Sequence, residues 1–133
     1  MKKIFLILSL SIILFSQETY DRKTIQSAIF LNEVASSVNK QLPMMIDKHT
    51  RMDNVFGTEK NITYKYTLIN INYGDFTAKQ VENSLKENIK NSVCTSPNTK
   101  IFPDNGVTMN YSYYSKKGKY ITKIIITPKD CNL

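Results

Sequence analysis

The amino-acid sequence predicts an α+β fold, in which an antiparallel sheet of about four strands has two helices on one face. The predicted order of elements is α-β-β-α-β-β. Three observations predict it. Apolar residues recur at helical spacing in two segments, and they alternate with polar residues in strand-like segments. The two cysteines, Cys94 and Cys131, can form one disulfide.

The N-terminus has the features of a secretory signal peptide. Lys2 and Lys3 precede an apolar run, Ile4 to Phe15, and the small residue Ser16 follows. The run is shorter than the roughly 20 residues that span a membrane. We therefore expect a signal peptide over residues 1–16, one α+β domain over 17–133 and a periplasmic or secreted protein. Retention of the signal as an inner-membrane anchor stays open.

The first half of the domain reads as a helix followed by two strands. From Glu18 to Leu42 apolar residues lie three and four positions apart, which predicts a helix that ends before Pro43. A polar stretch then leads into a first strand near residues 50–57. Alternating residues predict a long second strand over 61–72 with one face exposed to water.

The second half repeats this plan without repeating the sequence. Thr77 and Gln80 form a predicted capping box, with Phe76 and Val81 as a hydrophobic staple, and the helix ends near Cys94. Residues 96–105 are predicted to be a loop. Two strands, 107–115 and 120–127, flank a hairpin turn over 116–119.

The cysteine pair predicts how the domain is stabilised. An even number of cysteines in an exported protein favours a disulfide, and only one intramolecular pairing exists. A reactive thiol is the alternative, although the sequence contains no Cys-x-x-Cys motif. We expect the Cys94–Cys131 bond to tie the C-terminus to the end of the second helix.

Several short motifs occur together: Thr50-Arg51-Met52-Asp53, Tyr64 to Leu68 (YKYTL), Cys94, Tyr111-Ser112-Tyr113 and Asp130-Cys131. In this combination the chain resembles a group of small exported bacterial proteins of unassigned function, from about Leu42 to Cys131. The resemblance implies an α+β fold with a disulfide. It implies no activity.

The chain is basic, with a net charge of +7. The densest cluster consists of Lys116, Lys117, Lys119 and Lys123. Such a cluster is commonly a solvated face, but it could attract an acidic partner or an anionic lipid surface. The sequence has no arginine-rich stripe, and we expect no nucleic-acid partner and only a transient membrane contact through the signal peptide.

Few residues suit catalysis. His49 is the only histidine, with Asp47 and Asp53 close in sequence and Ser96 or Thr50 as conceivable nucleophiles. A small secreted hydrolase using His49 is therefore the alternative function. No metal or cofactor is expected, because the ligands are too few for a transition metal and no calcium-loop, P-loop or dinucleotide motif is present.

The preferred function is a non-enzymatic binding or accessory protein of the bacterial envelope, with another envelope protein as its partner. Five tyrosines lie on predicted strands, where they can pack in the core or form a contact surface. The predicted contact surface consists of Lys65, Tyr111, Tyr113 and Lys123.

Overall fold

A computed structural model describes residues 19–133, and a five-stranded sheet forms its centre. The predicted signal peptide, residues 1–16, lies outside the described residues. The strands are β1 (Met44–Met45), β2 (Thr50–Thr58), β3 (Asn61–Leu68), β4 (Thr108–Tyr114) and β5 (Tyr120–Ile126), in the order β1-β2-β3-β4-β5. Neighbouring strands are antiparallel except β3 and β4, which are parallel.

The expectation of four antiparallel strands is therefore wrong in two respects, although the α+β class is confirmed. The short strand β1 was not predicted, because two residues are too few to show alternation. The parallel pair arises because helices α3 (Ala78–Thr95) and α4 (Pro97–Asp104) return the chain to the end of the sheet where β3 began. A crossover of this kind is what a parallel pair requires.

The predicted first helix is two helices, α1 (Arg22–Ile25) and α2 (Ala28–Asn39). The break occurs at Ser27, whose hydroxyl accepts a hydrogen bond from the backbone N–H of Phe30 and caps α2. Apolar periodicity continues across the break, which is why the sequence pattern predicts one helix.

The segment predicted as a loop, residues 96–105, is mostly helix α4. Pro97 occupies the first turn of α4, where a missing backbone N–H costs nothing. Pro103 lies near the end of the helix and is buried with Phe102. Two prolines in a short segment indicated a loop, but both occupy positions that a short helix tolerates. Within residues 19–133 the two predicted helices are therefore four, and a 3₁₀ turn (Pro128–Cys131) follows β5.

Helix α3 begins as predicted. The Thr77 hydroxyl accepts from the backbone N–H of Gln80, and the Gln80 side chain accepts from the N–H of Thr77. This capping box satisfies two donors that would otherwise lack partners at the helix start. Within residues 19–133, none of the helices is long and apolar enough to cross a membrane.

The two long helices pack on the same face of the sheet, α2 against β2 and α3 against β5. Leu31 of α2 lies against Gly57, and the Thr122 hydroxyl of β5 donates to Glu82 of α3. The residues that this inner face contributes to the core are Val55, Ile62, Tyr66, Met109, Tyr111, Tyr113, Ile124 and Ile126. The strand tyrosines are thus mostly core residues.

The disulfide joins Cys94, at the end of α3, to Cys131 in the 3₁₀ turn, with 5.4 Å between the two Cα atoms. Both cysteines of the chain are accounted for, and neither is a free thiol. The predicted disulfide is therefore present, and it ties the chain that follows β5 to α3.

Gly57 allows α2 to approach the sheet closely. A Cβ atom at this position would lie 2.5 Å from the carbonyl carbon of Leu31 and 2.7 Å from its carbonyl oxygen. We expect Gly57→Ala to lower the free energy of unfolding by about 2–3 kcal/mol, measured by urea denaturation, because α2 must move outward. The exposed variant Thr58→Ala is the control. Adding Leu31→Ala should not restore stability, since the clash involves backbone atoms; restoration would contradict this explanation.

Candidate functional site

An open groove of about 690 Å³ lies between the first half of α3 and the loop that precedes β2. Its apolar lining comes from the end of β3, the following loop and α3: Leu68, Ile71, Phe76, Val81 and Leu85. Its polar rim includes residues 47–50, Gln80 and Ser84. Clefts with apolar walls and a few polar groups are the usual form of a binding site.

The start of α3 forms one wall of the groove. The capping box fixes where the helix begins, so that Phe76 and Val81, the predicted staple pair, both face the groove. Val81 is buried, whereas Phe76 is 50% exposed. Half-exposed apolar side chains at a concave site indicate a surface that another molecule covers.

The opposite wall is a tight turn held by Asp47. Its carboxylate accepts the backbone N–H of His49 at 2.7 Å, and this hydrogen bond is the main reason that the pKa of Asp47 lies below its usual value. The N–H of Ile46 donates to the carbonyl oxygen of Thr50 and closes the turn. The turn therefore presents Lys48 and His49 at the rim of the groove.

The His49 ring hydrogen-bonds to the side-chain amide of Asn70. Nδ1 lies 2.8 Å from the Asn70 amide nitrogen. Thr50 and Ser84 line the same groove, but within residues 19–133 no hydroxyl group donates to His49.

The other proposed hydrolase residues lie elsewhere. Asp53 accepts from Arg51 and Thr67 on the outer face of the sheet, away from the helices. Ser96 lies at the far end of α3 from the groove. The structure thus does not bring a nucleophile, a base and an orienting acid together around His49. Nor do three metal-ligating side chains cluster anywhere in the part of the chain that the structure describes.

We expect His49→Ala to leave the fold intact and to change partner binding by no more than a few fold. The variant loses one exposed hydrogen bond, to Asn70, which typically contributes about 1 kcal/mol or less. Loss of a general base would instead lower an activity by about 10²–10⁴-fold. Circular dichroism and a binding titration check this result, with Asn70→Ala as the matched variant. A loss of the larger size in a folded variant would favour the hydrolase.

The four residues of the predicted contact surface lie on two opposite faces. Lys65 and Lys123 flank Ser112 in the strand register of the outer face, and Lys65 Nζ lies 4.5 Å from the centre of the Tyr114 ring. Tyr111 and Tyr113 lie on the inner face, 8% and 5% exposed. They cannot form one surface with the lysines, because Tyr111 pairs with Tyr64 in the register, not with Lys65.

The outer face carries exposed Phe56 and Ile125, and several of its polar side chains hydrogen-bond to one another. The Asp53 carboxylate accepts from both Arg51 and the Thr67 hydroxyl, and the Asn110 amide donates to the side-chain oxygen of Asn61. Thr67 and Asn110 are buried by their neighbours on this face. The polar groups of the outer face are therefore less available to a partner than the apolar side chains of the groove.

The lysine hairpin, the turn that contains Lys116, Lys117 and Lys119, lies beside the groove. The backbone N–H of Lys116 donates to the carbonyl oxygen of Ile71, a groove residue, and Lys119 Nζ lies 3.9 Å from the centre of the Tyr73 ring. Lys123, predicted as part of the same cluster, is on β5 and faces outward instead. Sequence reasoning noticed the lysines and missed the groove, because its walls come from segments about 30 residues apart.

Comparison with known proteins gives a family and a fold. A family model described as a domain of unknown function, DUF8479, matches residues 27–122. The chain belongs to the DUF8479 family. It is also similar to protein K of Escherichia coli, with 30% identity over 109 residues that cover 78% of this chain. The chain spans 56% of the length of protein K.

The DUF8479 fold also occurs in three solved structures. A candidate secreted protein of Pseudomonas aeruginosa superimposes with a TM-score of 0.67 at 14% identity, covering 82% of this chain and 96% of the other. The type II secretion pilotin EpsS of Vibrio vulnificus gives 0.65 at 12% identity, with 82% and 94% covered. The pilotin AspS of Vibrio cholerae gives 0.62 at 13% identity, with 83% and 94% covered. At identities this low, the superpositions show that the fold is shared.

Proposed function

We propose that this DUF8479 protein is an exported, non-enzymatic accessory protein of the bacterial envelope. In this proposal the groove beside α3 binds an apolar segment of another envelope protein. The observation on which the proposal rests is the open apolar groove, in which Phe76 is half exposed. Neither a cofactor nor a nucleic acid takes part.

An amphipathic helix is the occupant that best suits the groove. Its long wall is a helix, and apolar residues of α3 at positions 81 and 85 follow one another along that wall. Helices bind such grooves through apolar anchors spaced three and four residues apart. A partner that buries Phe76 and Ile71 would gain about 25 cal/mol for each Å² of apolar surface that it removes from water.

Export is supported by independent features. The N-terminus has the pattern of a signal peptide, and the domain, which we take to span residues 17–133, contains a disulfide. Three proteins that share the fold are named for secretion or for secretion systems. We therefore place the partner in an envelope assembly and the protein in the periplasm or outside the cell.

Photo-crosslinking in the source bacterium tests the proposal. Benzoylphenylalanine replaces Phe76 in the groove or, as the matched control, Phe56 on the outer face; the two side chains are 50% and 48% exposed. We expect an adduct with one envelope protein, identified by mass spectrometry, from position 76 only. Adducts from position 56 alone, or from neither position, would contradict the groove as the binding site.

A further inference from the structure

We propose that the partner segment has an acidic stretch next to its apolar face, and that four lysines bind this stretch. The lysines are Lys48 on the groove rim and Lys116, Lys117 and Lys119 on the hairpin beside it. This inference rests on the proposed function, because it describes the chemistry of the segment that occupies the groove.

The four lysines are exposed and adjoin the groove from two sides. Lys48 is part of its lining. Lys116 lies at the other side of the groove, where its backbone N–H donates to the carbonyl oxygen of Ile71 at 2.8 Å. A ligand that covers Ile71 therefore has to pass close to the hairpin.

The hairpin holds its lysines in a defined place. The backbone N–H of Ser115 donates to the carbonyl oxygen of Lys119, and its side-chain oxygen accepts the N–H of the same residue. Gly118 has φ +82°, the left-handed conformation that a tight turn needs and that glycine adopts without strain. A preorganised turn loses little conformational entropy when an anion binds to it.

In the part of the chain that the structure describes, none of these lysines forms an ion pair with a carboxylate. Within residues 19–133 the ion pairs are Arg51–Asp53 and Lys100–Asp104, and neither includes one of these lysines. The carboxylates closest in sequence to the groove elements already accept other donors: Asp47 from His49, Asp75 from Asn72 and Glu82 from Thr122.

Neighbouring cations without carboxylate partners raise the local potential, and an acidic ligand relieves their mutual repulsion. Such complementarity increases the rate of association and fixes the orientation of the ligand. An apolar groove beside the lysines favours a protein segment that is both apolar and acidic over a flat anionic membrane, which could reach the hairpin but could not fill the groove.

Synthetic peptides test this inference. Each is an amphipathic helix of about 18 residues with the same leucine face. One has a run of glutamates at its N-terminus, one has it at its C-terminus, and one has glutamines at both. Binding is measured by fluorescence anisotropy at low and high salt. We expect one glutamate peptide to bind about tenfold more tightly than the glutamine peptide at low salt.

Variants locate the effect. K116E/K117E should abolish the preference for glutamate, whereas the control K23E/K60E should retain it. The control makes the same change of charge at the opposite end of the sheet, where Lys60 pairs with Gln26 and Thr108 through its backbone. Phe76→Ser should weaken all three peptides. Circular dichroism confirms that each variant is folded.

The outcomes separate the two proposals. Equal binding of glutamate and glutamine peptides, both sensitive to Phe76→Ser, would overturn the acidic stretch and leave the groove function standing. Absence of binding, or binding insensitive to Phe76→Ser, would overturn the groove function itself. Binding of the protein to phosphatidylglycerol vesicles is measured as well. If K116E/K117E weakens binding to the vesicles while the peptides show no charge preference, the lysines bind a lipid surface and the inference is wrong.

Discussion

As the pH rises above about 10, the DUF8479 domain is expected to lose stability and unfold in one cooperative step, because three tyrosines lie in its core and Tyr64 packs against them. The rings of Tyr64 and Tyr111 stack with their centres 5.2 Å apart, and those of Tyr66 and Tyr113 are 5.3 Å apart. Burial raises the pKa of Tyr64 to about 12. Burial also raises the pKa values of Tyr66, Tyr111 and Tyr113, and nearby tyrosines or Asp47 raise them further.

The direction of the effect follows from proton binding. In the unfolded chain these hydroxyls ionise near pH 10, whereas in the folded state they keep their protons to a higher pH. Their contribution to stability is complete below pH 10 and is lost as the pH rises through the raised folded pKa values. Between these pH values, where a tyrosine ionises only in the unfolded chain, the free energy of unfolding falls by about 1.4 kcal/mol per pH unit for each tyrosine. For all four tyrosines the fall is about 5.5 kcal/mol per pH unit.

Tyrosinate absorbance and far-ultraviolet circular dichroism measure this transition between pH 9 and 12.5. We expect the buried tyrosines to ionise together with the loss of secondary structure. Tyr66→Phe should move the midpoint to higher pH, because phenylalanine cannot ionise. The control Tyr120→Phe, at a position 51% exposed, should leave it in place. Complete ionisation of all tyrosines in a still-folded protein would show that the inner face is open to water.

Replacing both cysteines, in C94A/C131A, is expected to lower the free energy of unfolding by about 3–4 kcal/mol. The two residues are 37 positions apart, and their bond restricts the unfolded chain over the whole of α4, β4 and β5. In the native state it joins α3 to the 3₁₀ turn. That is a large fraction of the roughly 5–15 kcal/mol that stabilises a typical domain.

Urea denaturation at pH 7 measures this loss of stability. The wild-type protein in the presence of a reductant is a second sample, and it should lose a similar amount. Asp130→Asn separates the disulfide from the turn that contains it. Its carboxylate accepts the N–H and the hydroxyl of Thr127 at 2.8 and 2.9 Å, and these bonds lower the pKa of Asp130. We expect a smaller loss from this variant. If C94A/C131A loses less stability than Asp130→Asn, the local contacts of the turn contribute more to stability than the disulfide does, and the prediction is wrong.

Local signals in the sequence were sufficient for most individual elements. Thr77 and Gln80 identified the start of α3, because a capping box depends only on residues within one turn. The alternation in residues 107–115 identified β4 and placed Tyr111 and Tyr113 on the same face. The same local reasoning missed the break at Ser27 and helix α4. Apolar periodicity does not distinguish one helix from two consecutive helices, and proline content does not distinguish a loop from a short helix.

The sequence by itself determined the class of the fold, the central elements and the single possible disulfide. Only the tertiary structure decided that β3 and β4 are parallel, that the tyrosines face the helices, and that the lysine hairpin adjoins the groove. Periodicity and capping report contacts over a few residues. Strand partners and groove walls depend on which distant segments meet: Lys116 and Ile71 share a hydrogen bond across 45 positions of chain, through a crossover that no local pattern records.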